Sequence, residues 1–392
     1  MMLFALLGAS ALAQDTFSTR GRAAAESRVF VTRPPRTAQR GGVTGSLVGE
    51  PDFHWKKPKG RWELRLTPFF RADSHDFART HVDLRHAELK LRGESNFRFA
   101  AGIGQFRFST MVGAAPIDVI NQTDQVEDLD GRAKLGQPYV QVSTGDSELQ
   151  VSAWYLPYQR ARTFPSLEGR LRPLFGIDAA NPTWESVLGA WHPSGAIRVT
   201  RDTSWMRVAG TGYAGISRDP RFIAQFTDAR VGVAYDRLHQ LSVDAAAFSD
   251  VVTFKVEGAT SWWRADHLFS WRASAGLQTI HQGLFGSRAD MLLFAEYHVD
   301  RRPIGTPVTT NNNDVFLGMR LAHNDAQSTV WTAGGSVDLT TGFLSGRLQL
   351  DRRLRDHWVA GVQANAFLGS RIATEWWLGG ESYLQGHLSY YF

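Results

Sequence analysis

The chain ends in LQGHLSYYF (residues 384–392), where apolar and polar side chains alternate as far as the final residue. Leu388, Tyr390 and Phe392 lie on one face of an extended backbone, and Ser389 lies on the other. This two-residue period predicts a β-strand with one apolar face. Terminal residues of soluble domains are often polar or disordered, so an apolar strand here indicates that the strand itself has a function.

The composition is compatible with two classes of protein. The chain has 392 residues, no cysteine, 24 Phe, 13 Trp and 37 Gly, and a net charge of +5. Without cysteine, neither disulfides nor thiolate metal sites can form. Beyond the first residues, no apolar run approaches the ~20 residues that a transmembrane helix needs. We therefore expect either a large soluble β protein or a transmembrane β-barrel.

The N-terminal 59 residues differ from the rest. MMLFALLGASALAQD (1–15) has a short apolar stretch and a small-x-small pattern, which predict a signal peptide over residues 1–13. The alternative is a short buried helix. Residues 14–59 are basic and rich in Arg, Pro, Gly and Ala, which predicts a mostly disordered periplasmic segment. It would either contact acidic headgroups, an anionic polymer or a periplasmic partner protein, or act as a solvated tether.

From residue 60 to 392 the two-residue period is sustained. It is clearest in RWELRLT (61–67), SELQVSAWY (147–155), LFSWRASAGLQ (268–278), TVWTAGGSVDL (329–339) and FLSGRLQLD (343–351). In HVDLRHAELKLR (81–92) the phase slips near His86, which predicts a β-bulge. Short connections such as SD (249–250) alternate with long ones such as residues 121–138 and 157–186. The pattern predicts about 18 antiparallel strands, with 16 as the alternative.

Three features favour a membrane barrel over a soluble sandwich. The apolar faces are rich in Ala and Gly, which pack loosely in a core but are acceptable against lipid. Many aromatic residues lie at strand ends, where interfacial girdles occur. The last strand is apolar, so its edge has to pair with the first strand. The sequence therefore predicts an all-β, antiparallel transmembrane β-barrel over residues 60–392.

The terminal strand also resembles a known group of proteins. LSYYF, with Leu388, Tyr390 and Phe392 on one face, is similar to the last strand of bacterial outer-membrane β-barrels. The resemblance implies that these three residues are an assembly signal for the barrel-assembly machinery. It further implies a location among the lipids of the bacterial outer membrane. Porins, substrate-specific channels and polysaccharide exporters are the nearest analogies, so the resemblance implies a channel.

Arginines are frequent at the inferred lumen-facing positions. The set comprises Arg65, Arg98, Arg107, Arg198, Arg207, Arg230, Arg272, Arg320 and Arg347. Two interpretations stay open. Either these arginines form cross-strand ion pairs that stabilise the wall, or they raise the local concentration of anions in a pore.

One long connection, residues 157–184, combines arginine with apolar residues. Its arginines are Arg160, Arg162, Arg170 and Arg172. We expect this loop to enter the lumen, with its apolar side on the wall and its arginines on the solute pathway. The alternative is a cap on the outer surface.

These observations predict a passive outer-membrane channel without a cofactor. Its solutes would be polar and anionic, with a sugar or an exported polysaccharide as the best substrate class. One alternative is an anchor barrel that holds a periplasmic partner through residues 14–59. A minor alternative is an outer-membrane hydrolase using His192 with Ser194 or His281 with Ser287, but no spacing predicts a triad.

Other chemistry is weakly represented in the sequence. DQVEDLDGR (124–132) does not have the ligand spacing of an EF-hand, so we expect no metal site and interpret it as a solvated loop. The alternative is weak binding of a divalent ion at the outer leaflet. Basic residues alternate with apolar ones and form no single patch, which argues against nucleic-acid binding.

Overall fold

The computed structural model describes residues 16–57, 61–93, 96–173, 175–224, 230–264, 267–309, 312–369 and 378–392. The predicted signal peptide, residues 1–13, lies outside the described residues. Among the described residues, no helix is long and apolar enough to span a membrane. The helical elements that are described are three short 3-10 turns, Phe77–Arg79, Gly189–Trp191 and Leu284–Gly286.

The described part of the chain consists mainly of β-strands. In chain order they are β1 (Thr16–Phe30), β2 (Val43–Lys56), β3 (Trp62–Asp73), β4 (His81–Arg92), β5 (Arg98–Gly104), β6 (Gln137–Gly145), β7 (Leu149–Leu156), β8 (Gly176–Trp184), β9 (Ser194–Asp202), β10 (Met206–Ile216), β11 (Arg221–Ala224), β12 (Arg230–Tyr235), β13 (Arg237–Phe248), β14 (Val252–Trp263), β15 (Leu268–His281), β16 (Asp290–Arg301), β17 (Asn313–Ala322), β18 (Val330–Asp338), β19 (Leu344–Arg355), β20 (Trp358–Leu368) and β21 (Tyr383–Tyr391). Strands β8, β11 and β12 form a separate three-stranded sheet. The other strands form one 18-stranded sheet.

The large sheet is closed. Each strand pairs antiparallel with its neighbours in the ring, β7 pairs with β9, and β10 pairs with β13. Strand β1 pairs with β2 on one side and with β21 on the other. At the seam, Gly21 and Phe392 exchange backbone hydrogen bonds of 2.9 and 3.1 Å. The prediction of an antiparallel barrel of 18 strands is therefore confirmed, and the C-terminal strand closes it.

The prediction that residues 14–59 are disordered and lie outside the barrel is wrong. Strands β1 and β2 lie in this segment, so the barrel wall includes Thr16–Phe30 and Val43–Lys56 and does not begin at residue 60. The segment looks disordered in sequence because the outward positions of β1 are mostly small, while its inward positions carry charges. Arg20, Arg22 and Glu26 are ion-paired, as in the 2.7 Å contact between Glu26 and Arg71.

Connection lengths differ between the two rims. One rim, here the short-turn rim, has tight connections such as 146–148, 203–205 and 249–251. The other, the long-loop rim, includes the long connections 105–136 and 157–193. The predicted bulge near His86 is also present, as a register shift where β3 pairs with β4. This asymmetry between rims is typical of transmembrane barrels.

Side-chain burial distinguishes the outer face of the wall from the face toward the lumen. Outward-facing residues are apolar and exposed, as in Leu241 (70%) and Leu317 (60%). Inward-facing residues are frequently polar, and Asp244 and Glu257 are buried. Polar side chains are buried there because long loops occupy much of the lumen. The apolar outer face and polar inner face are those of a barrel in lipid.

We predict that a proline in β1 prevents barrel closure. Ala25 is exposed, and it pairs with Leu47 of β2 and Leu388 of β21. Ala25→Pro removes a ladder donor and leaves a backbone carbonyl without a partner in lipid, which costs several kcal/mol, so the heat-modifiable folded band on gels should be largely lost. Thr37→Pro, at an exposed position in connection 31–42 and the second residue of a turn that accepts proline, is the control and should fold normally. Equal folding of both variants would restore the interpretation of this segment as a disordered arm.

A second prediction concerns the lipid-facing surface of β19. Leu348 faces outward and is 46% exposed, whereas the adjacent Gln349 faces the lumen. Leu348→Arg should destabilise the folded barrel by about 2–4 kcal/mol, because it places a charge in hydrocarbon. Gln349→Arg should be much milder, as measured by urea unfolding in lipid vesicles. If Gln349→Arg destabilised the barrel more than Leu348→Arg, the two faces of this strand would be misassigned.

Candidate functional site in the barrel lumen

The connection 105–136, here the crossing loop, runs across the lumen. It leaves the wall at β5, and its tip reaches the far side of the ring at β14 and β16. There the Thr110 amide donates to Glu257 (2.5 Å), and the amides of Val112 and Gly113 donate to Glu296 (2.8 and 2.7 Å). Two wall carboxylates therefore hold the loop tip through its backbone.

Apolar packing holds the first half of the crossing loop. Phe106 and Phe108 pack on Trp154 of β7, with ring centroids 5.8 and 5.3 Å apart, and Phe106 also packs on Tyr139 of β6. Further inward-facing apolar residues of the wall complete this cluster: Tyr213, Leu238 and Trp263. Burial of this surface is favourable by roughly 25 cal/mol per Å², so this side of the lumen is filled with a packed core.

A second loop lies against the crossing loop. Arg160 donates to Asp83, an inward-facing residue of β4 (2.6 Å), and Arg170 donates to Glu381 (2.8 Å). Gln159 is fully buried. Part of residues 157–173, including Arg162 and Arg170, thus lines the lumen cavity described below. That these arginines lie on a solute pathway stays a prediction. The later part, residues 176–184, instead forms β8 of the small sheet.

Asp124 joins these loops to the wall. Its buried carboxylate accepts hydrogen bonds from Arg85 of β4 and from Thr163 of the second loop, both at 2.7 Å, and lies 3.3 Å from His81. Burial alone would raise the pKa of Asp124, but the hydrogen bond to His81 and the positive charge of Arg85 outweigh it and lower the pKa to about 2.

The interpretation of residues 124–132 as a solvated loop is therefore wrong for Asp124, Val126 and Glu127. Asp124 and Val126 are buried in the lumen. Glu127 forms a 2.6 Å ion pair with Arg71 of β3. The signal for this placement was the apolar content of the preceding stretch, including Phe106, Phe108 and Met111, which a solvated connection does not need.

A cavity of about 580 Å³ remains between the crossing loop and the wall formed by β13–β21 and β1–β3. Its uncharged polar lining includes Gln240, Ser261, Ser274, Gln363, Asn365 and Gln385. Aromatic side chains also line it, among them Phe294, Phe316, Phe343, Phe367 and Tyr383. The cavity therefore offers hydrogen-bonding groups together with aromatic faces.

Four of the predicted pore arginines line this cavity, and each is close to a carboxylate. Arg162 is 2.7 Å from Asp219, and Arg272 is 4.0 Å from the same residue. Arg170 pairs with Glu381 at 2.8 Å, and Arg347 lies 3.1 Å from both Asp128 and Asp130. All four arginines are therefore ion-paired, but their partners lie in connections, so none of these contacts is a cross-strand pair of the wall.

The other predicted arginines lie elsewhere. In the lumen wall, Arg198 makes two 2.8 Å bonds to Asp244. At the short-turn rim, Arg207 pairs with Asp202. Arg172 of the second loop donates to the carbonyl of Leu167. Arg160, paired with Asp83, and Arg320, at an inward position of β17, are also not among the lining residues of the cavity. Arg230 belongs to β12, outside the barrel sheet, so its predicted lumen-facing position is wrong.

Four other cations line the cavity without a carboxylate within 4 Å among the described residues. They are Arg28, Arg132, Lys134 and Arg218. Arg28 of β1 instead donates to Gln385, and Arg132 and Arg218 donate to backbone carbonyls. Burial lowers the pKa of Lys134, although it keeps contact with the cavity. None was predicted as a site residue, because their connections and β1 were interpreted as lying outside the lumen.

The structure does not form the two imagined hydrolase pairs. His192 lies 3.0 Å from Ser186, whereas the Ser194 hydroxyl accepts the Ile216 amide at 3.1 Å. His281 lies 3.2 Å from Thr279. Within the described ranges, no group of three or more His, Asp or Glu side chains is arranged to hold a metal ion.

Several solved structures share this fold. A BenF-like porin from Pseudomonas fluorescens Pf-5 aligns with 96% of this chain and 98% of its own, with a TM-score of 0.58 and 7% identity. Wzi of Escherichia coli, an outer-membrane carbohydrate-binding β-barrel involved in group 1 capsule assembly, aligns with 94% of this chain and 83% of its own, with a TM-score of 0.54 and 7% identity. OmpF of Salmonella typhi aligns with 97% of this chain and 98% of its own, with a TM-score of 0.50 and 9% identity.

Sequence comparisons add nothing to this result. No protein-family model matches the chain, and the search of curated proteins found no match. At 7–9% identity the structural similarity concerns the fold. The chain thus has the fold of the bacterial outer-membrane β-barrels, as its terminal strand predicted.

The lowered pKa of Asp124 predicts the pH range in which the loops lose their attachment to the wall. Because its pKa in the folded protein, about 2, is below the usual 3.8, the ionised form stabilises the attachment above about pH 4. This contribution should be lost as the pH falls from about 4 to 2. Hydrogen exchange of residues 122–127 should therefore be slow at pH 5 and faster at pH 2.5 after correction for intrinsic rates. Asp124→Asn should show the faster exchange already at pH 5, with Asp146→Asn, in an exposed turn, as the control. Equal protection in wild type and Asp124→Asn would contradict this role.

Proposed function

We propose that this protein is a passive channel of the bacterial outer membrane for small polar solutes that carry a negative charge. The cavity between the crossing loop and the wall is the observation that carries the proposal. It lies inside a closed barrel, and its lining includes Arg28, Arg132, Lys134 and Arg218, which have no carboxylate oxygen within 4 Å among the described residues. Fixed cations in a confined space attract anions.

The cavity also contains carboxylates without a cationic partner in the described part of the chain, but backbone amides compensate two of them. Asp118 accepts the amides of Phe108 and Ser109 at 2.7 and 2.9 Å. Asp76 accepts the amides of Ala78 and Ser166. Amide donors reduce the negative potential of these carboxylates toward the cavity, so the field of the uncompensated cations supports anion preference.

The size and chemistry of the cavity favour an anionic sugar over a polymer. About 580 Å³ is within the range of sites for small ligands, roughly 300–1,000 Å³. The crossing loop and the second loop restrict the lumen, which disfavours passage of a long extended chain. Hydroxyl-rich solutes would match the amide and hydroxyl side chains, and aromatic faces such as Tyr383 would pack on a sugar ring.

The described structure does not provide the free basic arm that the anchor-barrel alternative needs. That alternative required a basic arm over residues 14–59 that could hold a periplasmic partner. Thr16–Phe30 and Val43–Lys56 are instead strands of the wall, with both edges of β1 paired. A channel accounts for the same basic residues, since Arg28 lines the cavity.

Single-channel recording in planar bilayers with a KCl gradient tests the proposal. Wild type should show steady conductance, with a reversal potential that indicates anion preference. The triple substitution Arg28→Gln, Arg132→Gln and Lys134→Gln should shift the reversal potential toward cation preference, because it removes three cavity charges. The control replaces Arg201, Arg230 and Arg288 by Gln, which changes the net charge equally outside the cavity.

Two results would contradict this function. Absence of steady current from folded wild-type protein would exclude a channel. An equal shift of reversal potential in both triple variants would show that the cavity is not on the conduction route.

A further inference from the structure

The segment 217–220, between β10 and β11, places a carboxylate in the cavity. This residue is Asp219. The Ser217 amide donates to the Asp236 carbonyl at 2.8 Å, and the Ser217 hydroxyl donates to the Asp219 carbonyl at 2.8 Å. These bonds fix the backbone, so the position of the Asp219 side chain is defined by the fold.

Three arginines from separate parts of the chain converge on this carboxylate. Arg162 of the second loop donates to Oδ1 at 2.7 Å, and Arg302, which follows β16, donates to Oδ2 at 3.0 Å. Arg272 of β15 lies 4.0 Å from Oδ2. Burial alone would raise the pKa of Asp219, but the charges of Arg302, Arg162 and Arg272 outweigh it and lower the pKa, so the group is ionised.

The carboxylate is the most accessible member of the group. The Asp219 side chain is 31% exposed, against 9% for Arg302 and 17% for Arg272, and it lines the cavity. A solute in the cavity therefore meets the carboxylate directly and the arginines immediately behind it.

The surroundings have more donors than Asp219 can satisfy. Arg218, 8% exposed and among the cavity-lining residues, has one terminal nitrogen without a hydrogen-bond partner among the described residues. The same holds for Nε of Arg272. The side chain of Lys134, which also lines the cavity, donates to Thr123 at 3.4 Å, a long contact. Arg302 also donates hydrogen bonds of 2.7–2.9 Å to Asp300, a second carboxylate in the cavity lining. Unsatisfied donors on Arg218 and Arg272 remain beside these two carboxylates, which indicates a site built for more negative charge than the chain supplies.

We infer that the Asp219 carboxylate occupies the position in which a solute carboxylate binds. A passing solute would displace it from Arg162, Arg272 and Arg302. This inference rests on the proposed function, because it assigns a binding step to the same anion pathway. The ligand class is a small organic carboxylate, with a sugar acid as the example that also matches the polar lining.

A carboxylate of the protein that competes with the solute for the arginines has a physical effect in a channel. Guanidinium groups bind carboxylates strongly through charge-assisted hydrogen bonds, and conduction requires binding that is weak enough for release. A carboxylate attached to the wall competes at an effective concentration of about millimolar or more. It therefore weakens the apparent affinity for the solute and shortens its residence.

Calorimetric titration of the purified full-length barrel in detergent tests this inference, with glucuronate as the probe and glucose as the uncharged control. Asp219→Asn should bind glucuronate about tenfold more tightly than wild type, a difference of one decade in Kd. Adding Arg272→Gln to Asp219→Asn should remove the gain. Asp250→Asn, in an exposed turn at the short-turn rim, is the matched control and should behave as wild type. Asp219→Ser provides a second variant, and the heat-modifiable band verifies that each variant is folded.

The outcomes separate this inference from the proposed function. Unchanged or weaker glucuronate affinity in folded Asp219→Asn and Asp219→Ser would overturn the inference, and Asp219 would then be a structural partner of the arginines. The channel would stand in that case if wild type conducts with anion preference. Longer glucuronate blocks of single-channel current in Asp219→Asn than in wild type would support the exchange directly.

Discussion

In the hydrocarbon of a bilayer, a backbone N–H or C=O without a partner has no water to bond and costs several kcal/mol. Pairing of β1 with β21 removes the two free edges that an open 18-stranded sheet would have. The bonds between Gly21 and Phe392 extend this seam to the last residue. Every other feature of the molecule depends on this closure, because it creates an interior separated from lipid.

Closure forces the polar face of each strand into a confined space. Charges there are paired within the wall, as in Arg198 with Asp244, or between wall and loops, as in Arg347 with Asp128. Such pairs offset the desolvation of each charge and hold the loops in place. The cations that line the cavity without such partners then stand out as the chemically available ones.

The loops give this lumen its asymmetry. Phe106 and Phe108 pack on one side of the wall, whereas Glu257 and Glu296 hold the loop tip on the other. A packed apolar cluster therefore fills one part of the lumen, and a polar cavity remains beside it. The position of this cavity is decided by loop placement as well as by the strands.

By itself, the sequence determined the strand period, the approximate strand number, the barrel class and the closing role of the terminal strand. These follow from alternation along the chain, which is a local property. Tertiary structure alone decided that β1 and β2 join the wall, that Arg230 lies outside it, and that the crossing loop enters the lumen. It also decided which arginines are neutralised, since Arg162 and Asp219 meet only when strand register and long loops bring distant residues together. Pairing between such distant residues leaves no periodic trace in a single sequence.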